Sequence, residues 1–172
     1  MTASPLKAAF PASVDRHTRL LLLGSLPGEV SLAARQYYAN PTNQFWRLVG
    51  GVIGEDLPAL GYAARLDRLL AHGIGLWDVI RSARRTGSLD TAIRDHEAND
   101  LRDVAAGLPC LRAIAFNGGK AAQIGRKQWG DGESPVALVS LPSSSAAYCS
   151  MSYDAKQAQW LALQAHIGSV LS

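Results

Sequence analysis

Residues 20–46, LLLLGSLPGEVSLAARQYYANPTNQFW, decide the fold. The four leucines from Leu20 to Leu23 end at Gly24-Ser25, and an unbroken apolar run of that length, closed by turn residues, reads as a strand buried on both faces. Pro27-Gly28 form a tight turn and Ser31 stands in front of a short helical run, so the strand's carboxyl end delivers the chain to the start of a helix. In an open α/β sheet that junction is where ligands bind. Tyr37-Tyr38 and Asn40-Pro41-Thr42-Asn43 then form a loop dense in stacking and hydrogen-bonding groups before Phe45-Trp46 opens another apolar helix. Polar loops hung on a buried strand carry function.

Outward from this stretch, residues 47–53 continue a helical pattern that stops at Gly54, and residues 57–71 carry a helical apolar period predicting a helix of about four turns ending at Gly73. Residues 74–80, IGLWDVI, predict a second strand with Asp78 as its one charge. Residues 81–90 read as an exposed basic loop containing Arg81, Arg84 and Arg85. Asn99 or Asp100 caps a helix to about Ala106, residues 112–116 and 135–141 predict the third and fourth strands, and a helix near 120–127 lies between them. A last helix is expected from Asp154, as its cap, to about Val170. Strands alternating with helices predict an α/β fold, a single-domain three-layer α/β/α arrangement around a central four-stranded parallel sheet. Residues 1–17 are expected to act as an N-terminal strap to one domain spanning 1–172.

The chain has 172 residues, 48% of them hydrophobic and 18% charged, enough to bury a core without disulfides or metal. No apolar run reaches the roughly 18 residues that span a bilayer, and the N-terminus lacks a charged-then-apolar leader pattern, so a cytoplasmic protein with no membrane partner is expected. Cys110 and Cys149 are far apart with no neighbouring histidine, which removes zinc-ligand spacing and predicts two structural buried thiols and no metal site. The formal charge of +3 is compatible with nucleic acid and does not by itself establish it.

In a parallel sheet the four carboxyl ends share one edge, so the segments after them converge. These are Gly24-Ser25-Leu26-Pro27-Gly28, Asp78 with the basic loop, Asn117-Gly118-Gly119-Lys120, and Leu141-Pro142-Ser143-Ser144-Ser145. They supply backbone amides, hydroxyls, cations and one carboxylate. A GxGxxG fingerprint, a P-loop, a nucleophile elbow and clustered carboxylates are all missing, which argues against nucleotide cofactors and phosphoryl transfer.

GSLPG, QYYANPTNQFW, GLWDVIRSARRTGSLD, FNGGKA and LPSSS, taken together and in that order, resemble the uracil-DNA glycosylase superfamily, and within it the hypoxanthine-DNA glycosylase branch, family 6. The resemblance runs from about Phe10 to Trp160. It implies a monofunctional, cofactor-free DNA glycosylase of base excision repair, acting as a monomer on duplex or single-stranded DNA that carries a deaminated base: hypoxanthine, or uracil or xanthine. Glycosylases flip the target base out of the stack. By the same resemblance Tyr38 stacks on that base, Asn43 is catalytic, and Ser143, Ser144 and Ser145 grip backbone phosphates. The chain departs from relatives at Leu26 and Leu141, where many carry polar residues, and at Ala146 and Tyr148, where the branch carries Pro and Asn. A non-catalytic damaged-DNA-binding module and a small-molecule nucleoside hydrolase are the rival readings.

Each residue also has a plainer explanation. Asn43 stands where a helix cap would, with Asn40 as the alternative catalytic amide. Of the adjacent tyrosines, Tyr37 is expected to pack inward and Tyr38 to face the site. Asp78 either caps the segment after its strand or accepts hydrogen bonds from a base edge. Asn117 reads first as a turn residue before Gly118-Gly119 and second as a base contact. Lys120, Arg84 and Arg85 form either a solvated face or a phosphate-binding one. Trp46, Trp77 and Trp160 read as core, and Tyr148 or Met151 as a wedge into the base stack.

Overall fold

The structure is a computed structural model and describes residues 6–8, 10–84, 88, 93–130, 132 and 134–167. In chain order it contains β1 (Leu6–Ala8), β2 (Leu20–Gly24), α1 (Glu29–Ala34), α2 (Phe45–Ile53), α3 (Tyr62–Ala71), β3 (Ile74–Asp78), β4 (Ile80–Arg84), β5 (Arg94–Ala98), α4 (Leu101–Ala106), β6 (Ala113–Asn117), α5 (Gly119–Trp129), β7 (Ala137–Leu141), α6 (Tyr153–Trp160) and α7 (Gln164–Ile167). Strands β3, β2, β6 and β7 lie side by side in that order, all parallel, as the alternation of strands and helices predicts.

The leucine run shows why β2 is central. All four leucines are 0% exposed, and because successive side chains in a strand point to opposite faces, they feed two different cores. Leu20 and Leu22 pack with Phe45, Leu48, Val49, Leu69 and Trp160 on the α2, α3 and α6 side. Leu21 and Leu23 pack with Leu101, Phe116, Ile124 and Trp129 on the α4 and α5 side. Each such burial contributes roughly 1.5–3 kcal/mol, so the run ties all three layers together. The register sets Gly24 beside Asp78 and Asn117 beside Leu141, which brings the polar strand ends level at one edge.

Several local expectations change. The second strand ends at Asp78 rather than Ile80: Val79 and Ile80 donate to the Gly24 and Ser25 carbonyls, and the chain then turns into β4. Residues 81–84 are therefore strand and not loop. Strand β4 pairs antiparallel with both β1 and β5 in a second, three-stranded sheet, which gives part of the N-terminal strap a pairing partner. The proposed 57–71 helix is broken into a 3-10 turn at Leu57–Ala59 and the ten-residue α3, with Gly61 as its N-cap. Ser152, not Asp154, caps α6 by accepting from the Ala155 amide, and the segment beyond Trp160 passes through a 3-10 turn into α7. Helix α1 starts at Glu29, three residues before the run expected after Ser31, and the Ser31 hydroxyl accepts from the Ala39 amide at 3.0 Å instead of capping. Both cysteines are exposed, so the expectation of buried thiols fails: Cys110 lies in the turn after α4 and Cys149 in the loop between β7 and α6.

Asp100 caps α4 as expected, accepting from the Asp103 amide, and Gly54 ends α2 in the left-handed region at φ 71°. Trp46 and Trp160 are buried, while Trp77 is partly buried and donates to the Phe10 carbonyl. Arg84 closes β4, and Arg85 lies outside the described residues, so the expected phosphate contacts of this pair fall where no side chain is described. No helix among the described residues is long and apolar enough to cross a membrane.

Candidate active site

The level strand ends open into a cleft of about 650 Å³, within the range of small-ligand sites. Gly24 to Gly28, Tyr38, Asn40, Asn43, Asp78, Asn117, Lys120, Ser143 to Ser145 and Tyr148 all line it. Sequence positions more than a hundred residues apart are thus brought to one site by the parallel topology. Asp78 is 3% exposed and is the one carboxylate among the described lining residues.

A chain of hydrogen bonds with a fixed direction runs across the back of the cleft. The Ser144 amide donates to Asn117 Oδ1 at 2.9 Å, so the other end of that side chain is its NH₂ group, which donates to Ser144 Oγ at 2.8 Å and to the Tyr38 hydroxyl at 3.3 Å. Ser144 Oγ, having accepted there, gives its single proton to Asn43 Oδ1 at 2.8 Å. The Phe45 amide donates to the same Asn43 Oδ1 at 2.9 Å. A backbone N–H can only donate, so both amide side chains are oriented by backbone anchors and neither can be turned over. Asn43 is not the cap of α2, which is Gln44; from the residue before it, Asn43 Oδ1 holds the first amide of the helix, and Nδ2 is the polar atom left for the cleft. Ser144 is 1% exposed with its hydroxyl and amide engaged. Its expected contact with a phosphate is accordingly replaced by an internal one.

The tyrosines divide as expected. Tyr37 is 5% exposed and donates its hydroxyl to the Pro11 carbonyl; burial first, and then the Asp78 charge, push its ionisation far above the usual phenol range. Tyr38 adopts φ 54°, uncommon outside glycine, with its carbonyl held by Trp46 Nε1 at 3.2 Å. Its ring stacks on Phe45 with centroids 3.7 Å apart and planes 15° from parallel, and the residue lines the cleft. Gly24 is needed beneath it: a Cβ there would lie 2.7 Å from Asp78 Oδ1 and 2.8 Å from the Tyr38 hydroxyl oxygen. Asn40 sits on the exposed rim with Oδ1 engaged by the Thr42 amide and hydroxyl, so it shapes its own loop.

Ser143 and Ser145 form successive turns in which each hydroxyl accepts from an amide two residues on, Ser145 N at 3.1 Å and Ala147 N at 3.2 Å. Each keeps its hydroxyl proton for another acceptor, which suits an anion. Gly118 takes φ 98° against Ser143, a conformation that favours glycine, and starts α5 with Lys120 in its first turn at the cleft. Leu26 and Leu141 are 6% and 5% exposed, one in each of the two cores.

Lys156 is the site residue that sequence reasoning missed. It is 1% exposed and donates to Gln44 Oε1 at 3.0 Å and to the Ser145 carbonyl at 3.2 Å, bracing the serine loop against the α2 entry; burial lowers its pKa. The Gln44 amide adds a bond to the Ser144 carbonyl. The signal was one of spacing: Lys156 lies one turn before the fully buried Trp160, on the inward face of α6. Among the described residues no cluster of three or more histidine, cysteine or acidic side chains could hold a metal.

Comparison with known proteins resolves the family of this α/β domain with a hydroxyl- and amide-lined cleft at its strand ends. Residues 11–164 match the family model described as the uracil DNA glycosylase superfamily. Two proteins named hypoxanthine DNA glycosylase are similar: one from Methanosarcina acetivorans is 43% identical over 162 residues, covering 94% of this chain and 99% of its own, and one from Methanosarcina barkeri is 47% identical over 120 residues, covering 68% and 74%. A solution NMR structure of a protein from Methanosarcina acetivorans, provisionally assigned as a uracil DNA glycosylase, superposes with a TM-score of 0.83 at 42% identity, covering 95% of this chain and 99% of its own. The chain belongs to the uracil DNA glycosylase superfamily.

Proposed function

We propose that this DNA glycosylase releases hypoxanthine from DNA by hydrolysing its N-glycosidic bond, with Asn43 as the catalytic amide. The single observation that carries the assignment is the orientation of Asn43 in the cleft, with Oδ1 saturated by the Phe45 amide and the Ser144 hydroxyl and Nδ2 left to donate. The base preference is drawn from the similar proteins named hypoxanthine DNA glycosylase.

An amide with both oxygen lone pairs engaged is a poor proton acceptor, so Asn43 acts as a donor to acceptor atoms, among them the oxygen of the attacking water. That role suits a dissociative reaction, in which the base departs first with the bonding pair as an anion, water adds to the oxocarbenium-like sugar, and the proton lost by the water neutralises the departed base. Fixed dipoles aimed at developing charge supply much of the stabilisation in such a site. The Tyr38 ring, which lines the cleft, stacks on the extruded base, the Asp78 carboxylate accepts a base N–H, and Asn117 completes the contact. Ser143, Ser145 and Lys120 hold phosphates, and Tyr148, 40% exposed on the rim, enters the vacated stack. Since no lysine is assigned as an amine nucleophile, the product is an abasic site without Schiff-base strand cleavage. We read the enzyme as a cytoplasmic monomer, a reading its composition supports.

The buried leucines at 26 and 141 favour the rival, a binding module that recognises damaged DNA without cutting the bond. Incubation with a duplex holding one hypoxanthine separates them. Free base together with an alkali-labile site supports the enzyme, whereas retention of the duplex with an intact base supports the module. Release from the free nucleoside but not from DNA would support a nucleoside hydrolase.

A further inference from the structure

We propose that Ser144 is a positioning residue for base release, acting through Asn43 and not through the DNA. The inference rests on the catalytic reading of Asn43 and deepens it.

Ser144 occupies the middle of a strand-end loop whose neighbours on both sides face the cleft, yet it is 1% exposed. Its hydroxyl joins the end of β6 to the entry of α2: it accepts from Asn117 Nδ2 and donates to Asn43 Oδ1, both at 2.8 Å. The direction is forced, because Asn117 Oδ1 is already taken by the Ser144 amide. A serine hydroxyl has a single proton, and here that proton has one destination.

The consequence falls on Asn43. The Phe45 amide alone would fix which end of the Asn43 side chain is oxygen, but one hydrogen bond leaves the carboxamide plane free to swing about it. The second, from Ser144, sets the plane and engages the remaining lone pair, so the NH₂ group presents its donors along one direction. The same bonds carry information from the base pocket, since Asn117 also donates to the Tyr38 hydroxyl at 3.3 Å. Base seating against Tyr38 and the aim of Asn43 are thereby linked through one buried hydroxyl.

The test is a double-mutant cycle read by single-turnover release of hypoxanthine from duplex DNA, with DNA affinity measured in parallel. Ser144→Ala should slow release by roughly 10–100-fold, in line with a sub-ångström loss of aim, while Kd stays within about twofold. In an Asn43→Ala background the same substitution should have almost no further effect, because a residue acting through Asn43 has nothing left to position. Ser144→Thr, which keeps a hydroxyl, should recover most of the rate. Should Ser144→Ala fold poorly by thermal melting, Ser144→Cys, close in size and weak in hydrogen bonding, replaces it in the cycle. Multiplicative losses in the two backgrounds, or a loss confined to Kd, would overturn the proposal. An unimpaired Asn43→Ala enzyme would instead overturn the catalytic reading beneath it, so the two failures are distinguishable.

Discussion

Gly24→Ala places a methyl group where the base pocket has no room for one. The added Cβ would stand 2.7 Å from Asp78 Oδ1 and 2.8 Å from the Tyr38 hydroxyl oxygen, whereas ordinary contact begins at 3.4 Å, so the two atoms must retreat by about 0.7 and about 0.6 Å. Neither has an easy path. Tyr38 is backed by Phe45 at a centroid distance of 3.7 Å and its backbone is already in the left-handed region, while Asp78 is 3% exposed. Overpacking of this kind costs about 1–3 kcal/mol. At roughly 2–4 °C per kcal/mol for a chain of this size, Tm should fall by about 2–12 °C. Activity should suffer more than stability, because displacing substrate-positioning groups towards 1 Å can cost about 10²-fold in rate. Single-turnover release of hypoxanthine and a thermal melt read the two effects. Adding Tyr38→Phe removes one of the clashing oxygens and should restore part of the lost Tm. A Gly24→Ala enzyme with unchanged Tm and rate would refute the tight floor described for the pocket.

Three further outcomes follow from other parts of the molecule. Lys120→Ala should weaken binding to all DNA sequences alike and lower the slope of log affinity against log salt by about one, with an unchanged slope placing Lys120 away from phosphate. Hydrogen bonds from Arg68 and then His72 hold Glu55 at a pKa of about 2 against an ordinary 4.5, so between those values the unfolded chain binds a proton that the folded one does not. Stability supplied by this cluster is complete above about pH 4.5 and is lost as pH falls towards 2; melts at pH 7 and pH 3 should show a smaller acid loss for Glu55→Gln than for the parent. Asp78→Asn should raise uracil release relative to hypoxanthine release by roughly tenfold, since an amide can answer both the N–H and the carbonyl of uracil where a carboxylate only accepts. A parallel fall in both activities would make Asp78 structural.

What the sequence revealed follows from which signals are local. The leucine run of β2 and the apolar strands β3 and β6 are buried by their own composition, and the Gly, Pro and Ser residues that end them mark the cleft, so the four-stranded sheet and most lining residues were legible. Strand β5, Arg-Asp-His-Glu-Ala, was not: it carries no apolar alternation, and its pairing partner, not its side chains, makes it a strand. Residues 81–84 were misread for the same reason. Within the site, Tyr38 and Asn43 could be named from their loop, but the inward turn of Ser144 depends on Asn117 and Asn43, which lie 27 and 101 residues away. Lys156 was passed over because a lone lysine in a helix carries no local signal of burial, yet the fold buries it against two oxygens.

The most direct test of the account compares Asn43→Asp with Asn43→Ala in single-turnover excision of hypoxanthine. Aspartate can still accept from the Phe45 amide and the Ser144 hydroxyl, but it replaces the cleft-facing NH₂ with an oxygen. If Asn43 works as a donor, both variants should lose about 10²–10³-fold, the cost of deleting a preorganised donor, and aspartate should be no better than alanine, with DNA affinity nearly kept for alanine. An aspartate variant that retains or exceeds the parent rate would contradict the account, since it would mean that the group at position 43 serves as a proton acceptor for water.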